Sequence, residues 1–96
     1  MLVWAIYDIS SDKVRSRVAK YCEQSGLYRV QKSVFLGEME PSRIDELAER
    51  SREEIDEDHD RVYIFPMCEK DFQRVKTIGQ AFDEELITDE IQSLIL

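Results

Sequence analysis

In the first third of this 96-residue chain, one carboxylate and a set of basic side chains stand in an order that could do chemistry on a phosphate. Asp8 is the only charged residue of the run Leu2-Val3-Trp4-Ala5-Ile6-Tyr7-Asp8-Ile9. An ionised carboxylate is costly to bury, so Asp8 belongs at the edge of whatever that run forms, facing water, a cation or a partner chain. The plainer alternative is an aspartate that caps or turns the chain ahead of Ser10-Ser11-Asp12. Lys13, Arg15, Arg17 and Lys20 come next, then Arg29 and Lys32. Such a pattern most often means solvated cations. With Asp8 and the unpaired amides of a helix start at the same point, it also describes a phosphate site. Asp56-Glu57-Asp58-His59-Asp60 contains metal-ligating types, but five consecutive polar residues between two elements read as a solvated loop, with His59 at the surface.

The elements that must position these residues can be read from periodicity. Leu2–Ile9 is apolar on both faces, as expected of a central strand covered by a packed layer. Ser10-Ser11-Asp12 supplies an N-cap, and a helix runs to about Ser25, where Gly26 stops it. Val14, Val18, Tyr21 and Cys22 form its buried stripe, with Lys13, Arg17 and Lys20 on one flank and Arg15 on the other. From Tyr28 to Leu36 the period is two. Tyr28, Val30, Val34 and Leu36 share one face, and Arg29, Gln31, Ser33 and Phe35 the other. The polar character of the second face points it away from the core. Phe35 is then the odd residue there, either a dimer contact or a ring on which a base could stack.

Gly37–Pro41 reads as a turn, and Ser42 with Asp45 as a capping-box-like start to a second helix with apolar positions Ile44, Leu47, Ala48 and Ile55. Arg61–Phe65 is a strand stopped by Pro66. Glu69–Arg74 is a helical turn, and Val75–Ile78 a brief strand ending at Gly79. Residues 80–96 mix acidic and apolar patches, and a segment too apolar for a free tail is a candidate for adding a strand to a partner subunit. The order is βαββαβ if one strand is counted in two pieces and βαβαβ otherwise. Either count fits an α+β sandwich with two helices on one face of the sheet.

The length fits one domain. No run of 18 apolar residues and no signal-peptide pattern occurs, so the chain reads as soluble and cytoplasmic. Cys22 and Cys68 lack the spacing of a zinc site and read as small buried thiols. The net charge of −8 is unevenly divided. Residues 1–36 carry six basic and three acidic side chains, leaving +3, and residues 37–96 carry seven and eighteen, leaving −11. A polyanion is drawn to the first third and repelled by the rest.

The run Tyr7-Asp8-Ile9-Ser10-Ser11-Asp12, then Arg15 and Arg17, then Gly26–Phe35, closely resembles the smaller of the two core CRISPR adaptation proteins, a family known as endoribonucleases. The resemblance covers residues 1–79. It implies a ferredoxin-like βαββαβ domain over 1–79, an antiparallel sheet and a symmetric homodimer, while the C-terminal segment, 80–96, stays a candidate for pairing with the partner protomer. It implies that Asp8 is catalytic and ligates Mg²⁺ (or Mn²⁺), with Tyr7 shaping that site. Arg15, Arg17, Arg29 and Phe35 would match the family's nucleic-acid-binding positions, with Ser10, Asp12 and Ser33 in support. Two roles are implied: a metal-dependent nuclease acting on single-stranded RNA or duplex DNA, and a non-catalytic scaffold bridging copies of the larger integrase subunit on short duplex DNA. One Asp per chain is a poor metal site, but two on a dyad suit Mg²⁺, which keeps several waters and accepts one or two carboxylates.

Overall fold

The computed structural model describes residues 1–83, 86, 91, 93 and 94. Its elements are β1 (Leu2–Asp8), α1 (Asp12–Gln24), β2 (Leu27–Gln31), β3 (Val34–Glu38), α2 (Pro41–Glu54), β4 (Arg61–Met67) and the single turn α3 (Glu69–Phe72). The strands form one sheet in the order β2-β3-β1-β4, with every neighbouring pair antiparallel. This is the βαββαβ, ferredoxin-like arrangement. The ambiguity in counting is resolved at Lys32-Ser33, which turns the stretch from Tyr28 to Leu36 into a hairpin of β2 and β3 rather than one strand.

Local signals set the ends of α1. The Ser11 side chain accepts from the Val14 amide at 3.3 Å, and Gly26 takes φ +92° just beyond the helix, a conformation that costs glycine little. Its partner α2 begins with Pro41 in the first turn and has no side-chain cap, so the capping role expected of Ser42 and Asp45 is not used. Both helices cover one sheet face. Val18, Ala19, Cys22 and Leu47 pack there against Val3, Ala5, Tyr7, Leu27 and Phe35.

The opposite face carries a second core, which corrects the expected layout. Leu2, Trp4, Val30 and Leu36 lie under Phe72, Val75, Phe82, Ile91 and Leu94. Trp4 is its centre, with the rings of Phe65, Phe72 and Phe82 at centroid distances of 6.5, 6.1 and 6.0 Å. The expected grouping of Val30 with Val34 and Leu36 holds, but the faces are reversed: these residues look away from the helices, and Phe35 looks toward them and is 0% exposed. A ring open to a dimer partner or a base is thereby excluded. Residues 75–78 form no strand, and Val75 packs into the second core instead. The final strand β4 continues through Pro66, opposite Val3, on a sheet edge where a missing N–H is tolerated. The expected pairing of 80–96 with a partner lies largely outside the described residues. Within them, Asp83 donates its amide to Val30 O at 2.7 Å, and Phe82 stacks on Trp4.

Gly37, read from sequence as part of a turn, lies in β3 between Val3 and Leu27. A β-carbon there would sit 2.9 Å from Gly26 O and 3.1 Å from Leu27 Cα, both backbone atoms that cannot swing aside. Gly37→Ala is therefore expected to lower stability by about 1–3 kcal/mol, the range for overpacking a tight site. Urea denaturation of the variant beside wild type measures it, and an unchanged midpoint would show that β2 and β3 have room to separate.

Candidate functional site

Strand alternation decides what the end of β1 presents. Tyr7 points under the helices and is 3% exposed, whereas Asp8 points to the opposite face and is exposed, across from Arg61 of β4. The Asp8 carboxylate forms no hydrogen bond or ion pair with any described residue. Beyond it, the chain turns into α1 through Ser10, which is held from a distance in sequence. One oxygen of Asp60 accepts from the Ser10 amide at 3.1 Å and its hydroxyl at 3.0 Å, and the other accepts from the Asp56 amide at 3.0 Å. These donors hold the Asp60 carboxyl below the usual aspartate range, the Asp56 amide contributing most. His59 Nδ1 sits 2.9 Å from Asp56, and that contact is the main cause of the lowered pKa of Asp56. Thus the 56–60 loop is a clasp on the turn after Asp8. The sequence reading missed this role; the Asx-turn chemistry of Asp56 and Asp60 was its only visible signal.

The three arginines have separate surroundings. Arg15 donates to Ile9 O at 2.8 Å and pairs with Asp12, so it stays at the sheet end that carries Asp8. Arg17 is drawn away to α2, where it meets Glu54 at 3.1 Å, and the Tyr21 hydroxyl donates to the same carboxylate at 2.9 Å. The Tyr21 hydroxyl first, then Arg17, lowers the Glu54 pKa. Arg29 extends along the helix side of β2, half-buried, and places its guanidinium 5.1 Å from the centroid of Phe35. Phe35 in turn stacks on Tyr7 at 6.2 Å. Tyr7 Oη and Arg29 Nε are both buried without a hydrogen-bond partner. Burial raises the Tyr7 pKa, and the nearby Arg29, first by hydrogen bonding and then by its charge, opposes the shift, although no contact between them reaches ordinary hydrogen-bond geometry.

The sheet end therefore gathers Asp8, Arg15, Arg61 and the β2–β3 turn, whose Ser33 carbonyl accepts from the Tyr7 amide at 3.1 Å. Arg29, Phe35 and Tyr7 form a separate stack on the helix side, and Arg17 joins neither group. Among the described residues, no three His, Cys, Asp or Glu side chains converge to hold a metal. A single chain offers a cation one carboxylate at this point, so the residues fit a divalent ion only where a second chain brings another.

Strand order, element order and the Tyr-Asp ending of the inner strand define a small ferredoxin-like α+β protein. The model of the family described as CRISPR associated protein Cas2 matches residues 1–75, and the chain belongs to that family. A CRISPR-associated endoribonuclease Cas2 of Korarchaeum cryptofilum is 36% identical over 78 residues, covering 81% of this chain and 84% of that protein. The crystal structure of Streptococcus pyogenes Cas2 at pH 6.5 superposes with a TM-score of 0.67 at 30% identity, covering 82% of this chain and all of that one. A CRISPR-associated endonuclease Cas1/endonuclease Cas2 fusion of Thermoproteus tenax is 42% identical over 50 residues, 52% of this chain and 19% of that protein.

The clasp gives a signed pH dependence. The folded-state pKa of Asp60 lies below the ordinary 3.8, so its contribution is complete above that value and is lost as pH falls through the lower folded value. The stability difference between wild type and Asp60→Asn should hold constant at neutral pH and shrink below 3.8. Thermal melts of both proteins across that range check it. A constant difference throughout would mean that the Ser10 and Asp56 donors do not favour the charged form.

Proposed function

We propose that this chain is a CRISPR adaptation protein that works as a nucleic-acid-binding homodimer and hydrolyses phosphodiester bonds in single-stranded RNA or duplex DNA. The observation that carries the reading is Asp8: an exposed carboxylate without a partner at the end of an otherwise apolar inner strand. Family membership and the endoribonuclease names of its relatives support it. Two protomers meeting at this end would bring two Asp8 side chains together. Their repulsion makes that arrangement unfavourable without a cation, and Mg²⁺ (or Mn²⁺) matches a pair of carboxylates plus water. When bound, such an ion supplies charge neutralisation and an activated water. The chain's own contribution is positional: Asp8 holds the site at the sheet end, and Arg15 and Arg29 offer positive charge to phosphate oxygens. Tyr7, buried and protonated, supports the strand end and does not act as a base. His59 is engaged by Asp56 and has no part in the chemistry.

The surface for a second copy is the uncovered part of the sheet along β4, where Tyr63 is 56% exposed beside the partly exposed Phe65. Tyr63→Lys should convert the dimer to monomer in sedimentation velocity at micromolar concentration, and an unaltered dimer would move the interface elsewhere. No helix of the described residues is long and apolar enough to cross a membrane.

A second reading, a non-catalytic scaffold that bridges copies of the larger integrase subunit on short duplex DNA, is favoured by the relative fused to Cas1 and by the lack of a metal-holding cluster among the described residues. The two separate in one experiment. Labelled RNA and duplex DNA are incubated with wild type and Asp8→Asn in Mg²⁺, Mn²⁺ or EDTA. Under the nuclease reading, cleavage needs the metal and falls more than about 100-fold in the variant, beyond the 10–100-fold typical of groups that only support a metal ligand. Salt-sensitive binding by both proteins with cleavage by neither would select the scaffold.

A further inference from the structure

Phe35 cannot touch a nucleic acid from where it stands. It is 0% exposed, packed between β1 and the helices with Tyr7 on one side. The one group placed over its ring that reaches toward solvent is Arg29, with the guanidinium carbon 5.1 Å from the ring centroid. No carboxylate holds Arg29. It forms no ion pair with any described residue, its Nε is buried without a partner, and the other group beside its guanidinium is the uncharged Tyr7 hydroxyl. Arg15 and Arg17, by contrast, are each fixed by a carboxylate, Asp12 and Glu54.

We infer that Phe35 is a positioning residue whose ring face, backed by Tyr7, sets the direction of Arg29 and so presents an unneutralised guanidinium to a phosphate. The inference rests on the nucleic-acid binding proposed above. The physical logic concerns charge. An arginine paired with a carboxylate is partly neutralised when a phosphate arrives, whereas one fixed by a ring quadrupole keeps its full net charge. Holding the head in place also removes rotamer entropy that binding would otherwise have to overcome. Arg29 is therefore expected to contribute more to affinity than Arg17, although both have the same formal charge.

The test replaces Phe35 alone, by site-specific incorporation, with mono-, tri- and pentafluorophenylalanine in the full-length dimer. Fluorination weakens the ring's attraction for a cation while keeping its shape close to that of phenylalanine. Binding of a short labelled DNA duplex and of a single-stranded RNA is measured across a salt series, in the wild-type and Arg29→Gln backgrounds. The expected result is a stepwise loss of affinity, about two- to fivefold in total, the range for a cation–π pair at a partly exposed site. The slope of log Kd against log salt should flatten toward that of Arg29→Gln, and fluorination should have no effect in that background. Equal losses in both backgrounds, or none in either, would overturn the assignment. Proton NMR of Arg29 decides the same point without nucleic acid. Ring current should shift its side-chain δ protons upfield, and Phe35→Leu should abolish the shift; δ protons at ordinary positions in wild type would also overturn it. A wild-type protein that binds neither nucleic acid but shows the shifted protons would refute the proposed function and leave the positioning role standing.

Discussion

The structure depends on one constraint: β1 is an inner strand pressed between two apolar layers. Val3 and Ala5 face the helices, while Leu2 and Trp4 face α3 and the chain just beyond it. Each large side chain fully buried in this way contributes about 1.5–3 kcal/mol, and an unpaired carboxylate in the same layers would cost several kcal/mol. The strand can hold a charge only where the layers end. Asp8 stands there, exposed, and the need to cover six apolar residues before it fixes its distance from the opposite end of the sheet. The same edge steers the next stretch of chain. It must turn at once into α1 to roof the helix face, which brings the amide-rich start of that helix and Arg15 to the carboxylate's side of the molecule.

Elements specified by local chemistry were legible in the sequence. The strand was visible in its unbroken apolar run, and α1 in a serine cap and a terminal glycine that both act in the structure as read. The β2–β3 hairpin was hidden for a geometric reason. Its turn, Lys32-Ser33, has neither glycine nor asparagine, and the register shifts by one residue between Arg29 and Gln31. Because of that shift, the cross-strand partners Arg29 and Phe35, Tyr28 and Leu36, and Leu27 and Gly37 are all separated by an even number of residues. Facing residues then keep the same parity, so the period-two pattern passes through the turn without a break and imitates one long strand. A regular two-residue hairpin would have shown a phase change.

The orientation of that hairpin was illegible because polarity was a poor guide to depth. Arg29, Gln31 and Ser33 made their face look solvent-facing, yet Arg29 lies along it with its charged head over Phe35, and Leu27 and Phe35 seal the core beneath. The apolar faces of Leu2–Ile9 called for cover on both sides of the sheet, but the sequence did not show what would supply it on this one. That cover comes from Phe72, Val75 and Phe82, singly placed apolar residues with no strong period, gathered by one indole. The fates of the basic residues were equally tertiary: Arg17 and Arg29 look alike in sequence, but only the packing of α2 on α1 brings Glu54 to one of them.

The same alternation that hid the hairpin also divides the functional end. Tyr7 and Asp8 are adjacent in sequence and lie on opposite sides of the sheet, so they cannot act on one group as a side-by-side pair. Burial keeps the Tyr7 phenol protonated, and its ring backs Phe35, which in turn underlies Arg29. On the helix side, then, aromatic surface serves to hold a positive charge in place. On the open side the Asp8 carboxylate forms no ion pair with a described residue, although Arg61 lies across from it on the edge strand that also carries Tyr63. Among the described residues, neither group has an ion-pair partner. Under the function proposed above, a phosphate backbone is complementary to the first and a divalent cation shared with a second chain to the second, so the two charges on either side of one strand would meet different partners.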